Sequence, residues 1–450
     1  MKRLAALCGA LLLAPPTLAV DGAEPLTIAA AIRSAQAVNE IPAIAAARVE
    51  HAAALRRQAV AALVPRLTFS TTYTRRAQEV TREIDGDEVT VQAIDALNGQ
   101  ALAQATLVDL RALPLLRAAT RGVAAQRLES SELERALAHD TATGFLLVLG
   151  AEQLRDAARE RVRVAAKTVD EARLRVEAGL AGRNDATRAE LELATARLAE
   201  TRATNDVDLS RRSLSFLVGG EVGERQLVEP DDLALPAGSL AELAERAVAT
   251  RADLAALAER HEQARQLAVA PRLGFVPRLD ARGLYTGTNE AGLSGREEDW
   301  NVAVTLIWEL FDGGNRSALA AQLDAEAEEA ELALAQSRRA VTLEVGLSAT
   351  ELTTSEASLV QAEARLAAAR DNALEVRERY GNGLATALEQ ADAAVEQFEA
   401  ESELVRQRYT RALSRLALAR AIGLWPDGAS EPPEPAADDS PPLPAEIPSR

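Results

Sequence analysis

Two changes of period, each made twice in the same order, constrain this chain more than any other feature. In each half, short runs of strict two-residue alternation stand beside very long stretches whose apolar residues recur at steps of three and four. The first pattern puts alternate side chains on opposite faces of a strand; the second lines them along one seam of a helix. The halves also share landmarks. Pro65-Arg66-Leu67 recurs about 212 residues on as Pro277-Arg278-Leu279, and Leu107-Val108-Asp109 about 203 on as Leu310-Phe311-Asp312. Gly179-Leu180-Ala181 recurs about 204 residues on as Gly383-Leu384-Ala385. Three ordered matches at nearly one offset identify a tandem duplication.

The alternating runs predict four strands. Leu67, Phe69, Thr71 and Tyr73 interleave with Thr68, Ser70, Thr72 and Thr74, and Trp300, Val302, Val304, Leu306 and Trp308 with Asn301, Ala303, Thr305 and Ile307. Leu279, Ala281 and Tyr285 stand against Asp280 and Arg282, and a weaker run spans Gln100 to Leu107. About ten residues per strand, with aromatics near the ends, suits a tilted strand crossing a bilayer. Two soluble hairpins packed on a core would give the same alternation, but no other sheet or apolar core is legible. Four strands cannot close a barrel, and lipid does not tolerate open edges, so a membrane role requires several copies.

The helical stretches are equally regular. Val162, Ala165, Val169, Ala172 and Val176 share one seam, and Ala189, Leu193, Ala196, Ala203 and Val207 another. In the second half the seam runs unbroken from Val341 through Leu352, Leu366 and Ala373 to Tyr380, and returns from Leu388 through Phe398 and Tyr409 to Ala419. Sustained heptads predict supercoiled helical hairpins, about 100 Å long for some 65 to 70 residues. Ala and Ser fill many seam positions, so a lone hairpin buries little, and side-by-side hairpins in a ring would bury more.

Composition sets the remaining bounds. Aromatics are 3%, and Met1 is the only methionine. His51, His139 and His261 lie far apart, which removes the usual soft or imidazole metal cluster; no Ser/His/Asp or Cys/His arrangement is apparent, and neither a cofactor nor enzyme activity is expected. Lys2 and Arg3, the apolar run Leu4 to Ala14 and Thr17-Leu18-Ala19 read as a secretory signal, residues 1–19, holding the only cysteine, Cys8. Removing Lys2 and Arg3 takes the formal charge from −18 to −20, which makes nucleic acid an unsuitable partner. The predicted organisation is a first repeat over 20–218, a Gly/Pro/Asp-rich linker over 219–239, a second repeat over 240–423 and a Pro-rich acidic tail over 424–450.

Taken in order, Pro65, Pro277, the Leu310-Phe311-Asp312-Gly313-Gly314 junction and the turns Glu177-Ala178-Gly179-Leu180-Ala181 and Tyr380-Gly381-Asn382-Gly383-Leu384-Ala385 resemble those of the TolC-like outer-membrane factors, from about Leu26 to Gly423. The resemblance implies a mainly α protomer with four strands and long coiled-coil helices. Three copies would form a 12-stranded β-barrel in the outer membrane, continued by a 12-helix α-barrel through the periplasm. It further implies a passive duct for efflux or type I secretion, opened by a periplasmic adaptor (membrane fusion protein) and an inner-membrane transporter. A periplasmic coiled-coil adaptor or scaffold is the competing reading, though adaptors typically carry one hairpin and no membrane-type strands.

The candidate site residues follow. Gly179, Leu180, Ala181, Gly383, Leu384 and Ala385 are turn residues that the resemblance makes adaptor contacts. Glu389 and Asp392 lie three apart on one helix face, an ordinary solvated pair by spacing alone. By resemblance they are a gate: six carboxylates at one constriction of a trimer. Asp185 and Tyr380 match inter-helix contacts that hold the tip shut, but the basic partner often found near Ala385 is absent. Phe69, Tyr73, Tyr285, Trp300 and Trp308 are expected at the membrane interfaces, and Asp312 with Gly313 and Gly314 at a helix start.

Overall fold

The computed structural model describes residues 25–84, 87–290 and 296–426. The expected signal segment with Cys8, and the expected tail beyond Pro426, lie outside the described residues. Each half opens with a pair of helices, α1 (Ile28–Val38) and α2 (Glu40–Ala61) in the first, α5 (Leu240–Thr250) and α6 (Ala252–Leu273) in the second. The breaks have local causes. Thr27 and Asn39 cap α1 and α2 by accepting from Ala30 N and Ile41 N, and Ser239 and Glu242 form a capping box on α5.

Four long strands follow in two pairs: β1 (Arg66–Arg75) and β4 (Asp95–Val108) in the first half, β5 (Arg278–Thr288) and β6 (Glu298–Ile307) in the second. They form one antiparallel sheet in the order β1-β4-β5-β6. Both outer strands, β1 and β6, are unpaired edges among the described residues. Between β1 and β4 lies a small hairpin of β2 (Val80–Ile84) and β3 (Asp87–Gln92). The long helices are α3 (Ala112–Glu177, 66 residues), α4 (Arg183–Val218), α7 (Asn315–Gly381, 67 residues) and α8 (Ala387–Ala421). The first pair and the second each form one hairpin, with α6 lying between α3 and α7. No helix among the described residues is long and apolar enough to cross a membrane.

The register sorts the sheet into two chemically distinct faces. Phe69 faces Ala101, Ala101 faces Tyr285 and Tyr285 faces Trp300, so these four share one row of one face. The next row is Leu67, Ala103, Gly283 and Val302. The opposite face carries the rows Ser70, Gln100, Thr286 and Asp299, and Arg66, Gln104, Arg282 and Ala303. Among the described residues nothing covers the apolar face: Phe69 is 74% exposed and Val302 70%. An apolar outer face opposed to a polar inner one is the pattern of a transmembrane β-barrel wall.

Large apolar residues concentrate at one level of the helical part. Leu26, Ile32, Phe145, Leu146, Leu214, Leu227, Leu416 and Trp425 form a buried cluster there. Leu26 pairs in parallel with Leu227, so the segment joining the halves is packed into this core. Toward the tips the clusters thin to Ala and a few Val or Leu, as the small-residue seams predict.

Candidate functional site

Two hairpin tips carry most of the expected site residues, and their geometry begins with the backbone. Gly179 and Gly383 have φ of +71° and +73°, a left-handed conformation that glycine adopts without strain. At the first tip Leu180 N donates to Arg175 O and Gly179 N to Val176 O. At the second, Leu384 N donates to Arg379 O and Gly383 N to Tyr380 O. Both are Schellman turns, in which the residue after the glycine normally packs on an apolar side chain one turn back. Here the nearer such positions are Arg175 and Arg379, and only the first tip has an apolar residue one further back, Leu174, itself 65% exposed. Leu180 is 79% exposed and Leu384 69%, while Ala181 and Ala385 are half-buried.

The start of α8 shows why Glu389 stands where it does. Thr386 N and Thr386 Oγ1 donate to Glu389 Oε2 at 2.6 and 2.9 Å, and Glu389 N donates to Thr386 Oγ1 at 3.2 Å. The carboxylate is half of a capping box. The backbone N–H of Thr386, then its hydroxyl, hold the Glu389 carboxyl below the usual glutamate range, so its charge persists into mildly acid solution. Asp392 lies one turn on, exposed. Among the described residues no group of three or more His, Cys, Asp or Glu is placed to hold a metal ion.

Asp185 and Tyr380 line one cleft of about 290 Å³ between the two hairpins, but no hydrogen bond joins them. Asp185 Oδ2 instead accepts from Gly182 N at 3.3 Å, capping α4. Tyr380 is buried beneath Arg175 of the other hairpin. The guanidinium lies 4.0 Å from its ring centroid, and Arg175 Nη1 donates to Tyr380 O at 3.0 Å. The basic group beside Tyr380 therefore comes from the first hairpin. A second tie sits further along, where Arg161 lies 4.6 Å over the Phe398 ring while donating to Glu192 Oε1 at 2.8 Å. Neither arginine stood out in the sequence, because each meets its partner across the interface between halves. The duplication left a trace, however. Arg379 occupies the position of Arg175 in the second half, and Val176 that of Tyr380 in the first, so only one of two possible contacts exists.

At the other end of the helices, Asp312 acts as its position suggests. It accepts from Gly314 N at 3.1 Å and Arg316 N at 2.8 Å, while Gly313 and Gly314 turn at φ of +71° and +90°. Arg316 is buried and also donates to Gly274 O and Glu309 O, locking the exit of β6 to the end of α6. Asp109 and Arg111 repeat the pairing in the first half, with Arg111 Nη2 donating to Asp109 Oδ2 at 2.7 Å.

The expected interface aromatics divide between the two ends of the sheet. Phe69, Tyr285 and Trp300 share one row. Tyr73 lies toward the far end, its hydroxyl donating to Asp95 Oδ1 at 2.6 Å. Trp308 falls one residue beyond β6, at the helical end, and its Nε1–H donates to Phe275 O at 3.1 Å.

Comparison with known proteins agrees with this architecture. No curated protein sequence matches the chain. Solved structures that share the fold at low identity include the following three. A membrane protein from Pseudomonas aeruginosa is 20% identical, with a TM-score of 0.77 over 88% of this chain and 93% of that one. The outer membrane protein VceC from Vibrio cholerae is 20% identical, with a TM-score of 0.75 over 89% and 96%. The open state of the Neisseria gonorrhoeae outer membrane channel MtrE is 19% identical, with a TM-score of 0.75 over 89% and 89%. A family profile described as outer membrane efflux protein matches residues 32–220 and 243–424, one segment in each half. With both repeats matched over most of its length, the chain belongs to the outer membrane efflux protein family.

Proposed function

We propose that the protein is the outer-membrane duct of a tripartite efflux or type I secretion system, working as a homotrimer. Three sheets joined through their β1 and β6 edges make a 12-stranded barrel, and the helical hairpins continue it as a 12-helix tube in the periplasm. The observation that carries this reading is the sheet itself, with one bare apolar face, one polar face and both edges unpaired. Lipid can cover the first, a water-filled lumen the second, and only further copies can satisfy the edges.

The tips then take two roles. Leu180 and Leu384, bare on rigid turns, are apolar contacts for a periplasmic adaptor, which brings an inner-membrane transporter. Glu389 and Asp392, with Asp185 and Tyr380 nearby, line the constriction that docking opens. Chemistry is not required of the duct, since the pump supplies the work. The test is fractionation of cells expressing the full chain, with the mass of the detergent-extracted protein. Recovery from the outer membrane as a trimer is expected. A monomer in the soluble periplasm would refute the duct.

A further inference from the structure

The polar face of the sheet carries a feature that the chain's overall charge would not suggest. The protein is strongly acidic, at −18, yet one row of this face reads Arg66, Gln104, Arg282 and Ala303 across the four strands. Both arginines are exposed, and neither forms an ion pair within the chain among the described residues. They flank Gln104 on alternate strands, so their backbones lie about 10 Å apart, twice the strand spacing. Together with Gln104, Asp280 and Thr305 they line one hollow on this face. Asp280 does not cancel them. Its Oδ2 lies 3.2 Å from Arg278 Nε, which offsets its charge. The next acidic side chain on this face of β6, Asp299, is four residues further along and separated by the Asn301 row.

We propose that Arg66 and Arg282 form an anion-binding level in the lumen of the barrel, taking solutes that bear phosphate or carboxylate groups. The proposal rests on the duct reading, because closure of three chains is what gathers six guanidinium groups around one water-filled passage. Guanidinium forks match the geometry of phosphate and carboxylate oxygens, and Gln104 between them adds an amide donor. Low-dielectric walls strengthen the field of such a cluster and raise the local concentration of anions. The face rules out lipid as the source of the ligand, since the arginines lie opposite Leu67 and Val302. The acidic tips and this basic level would act in series, the first on entering cations and the second on anionic groups.

Single-channel recording of the full chain in planar bilayers tests this, with tripolyphosphate added on the barrel side so that it meets the lumen before the tips. Wild-type channels should be blocked. In Arg66→Gln/Arg282→Gln the half-blocking concentration should rise at least tenfold, and the reversal potential in a KCl gradient should move toward cation preference. Arg66→Lys/Arg282→Lys should retain most of the block, which a purely structural role would not predict. If the Gln pair fails to assemble, each single Gln variant should weaken block about threefold. Equal block in wild type and the Gln variants, or none in wild type, overturns the proposal. A trimer that never conducts overturns the duct reading itself.

Discussion

Val302 and Asn301 are neighbours on β6 that face opposite ways, and an arginine at each separates lipid from lumen. Val302 lies in the Leu67, Ala103, Gly283 row, and even a Cβ built on Gly283 would come no nearer than 4.0 Å to the Ala103 side chain. A longer side chain at 302 therefore meets no steric obstacle, and any cost comes from what surrounds it. Near the bilayer midplane an arginine on the lipid face costs about 2–4 kcal/mol, and near the interfaces about 0–1. Val302→Arg in three chains should then cost roughly 6–12 kcal/mol per trimer. Asn301→Arg, on the wet face, should cost little, and Leu306→Arg, near the helical end of the strand, should fall close to it. Urea-dependent folding of purified protein into lipid vesicles measures these differences, and survival of the trimer on unheated gels gives a second readout. Equal stability for Val302→Arg and Asn301→Arg would refute the assignment of faces. A Leu306→Arg cost as large as that of Val302→Arg would point to a protein neighbour in place of lipid, since only lipid gives a penalty graded with depth.

Arg175→Ala should loosen the tip by about 2–4 kcal/mol per chain, the sum of a cation–π contact and a charged hydrogen bond, and raise the open fraction of single channels; unchanged gating would make the contact passive. Leu180→Asp or Leu384→Asp should abolish export with the trimer intact, read as drug or protein export in cells, and normal export would remove the tips from the docking surface. Glu389→Gln/Asp392→Asn should weaken block by polyvalent cations while keeping an acceptor for Thr386, so unchanged block would place the gate elsewhere. His139 is buried, with Nε2–H donating to Leu424 O at 2.8 Å, and burial first, then Arg420 and Arg135, push its pKa down to about 4. Its folded pKa is below the unfolded value, so the stability is present above pH 6.5 and falls as the pH drops toward 4, by about 3 kcal/mol in all. Protease release of the C-terminal turn should rise across that window and do so less in His139→Gln.

Periodicity carried most of the fold. Ten-residue alternation found β1 and β6, because each has one run of large apolar side chains to mark its face, and β5 through Leu279, Ala281 and Tyr285 set against Asp280 and Arg282. It found β4 only weakly, since this face of β4 carries the small residues Gly99, Ala101 and Ala103, of which Ala101 sits between Phe69 and Tyr285. The β2–β3 hairpin was missed, although Asp85-Gly86 between Val80-Thr81 and Val89-Thr90 was a usable signal. At the tips, the turns were legible because glycine and leucine at fixed offsets report backbone geometry. Capping by Glu389 was also within reach, as Thr386 and Glu389 have the three-residue spacing of a capping box. Arg175 was not, because Tyr380 is 205 residues away and only the packing of one hairpin on the other joins them.

The clamp around the chain's last described turn has a mechanical consequence. Arg135 Nη1 donates to Gly423 O and His139 Nε2 to Leu424 O, while Arg251 reaches Ala421 O and Glu344. Beside it Leu26 and Leu227 join the start of the chain to the segment between the halves. Six distant parts of the sequence thus meet at one level of the helical part, where the largest side chains are buried. A tube girdled there and lined with alanine beyond should behave as a stiff collar with a compliant nozzle. Torsion applied at the nozzle should die out at the collar, leaving the membrane wall undisturbed each time the far end opens.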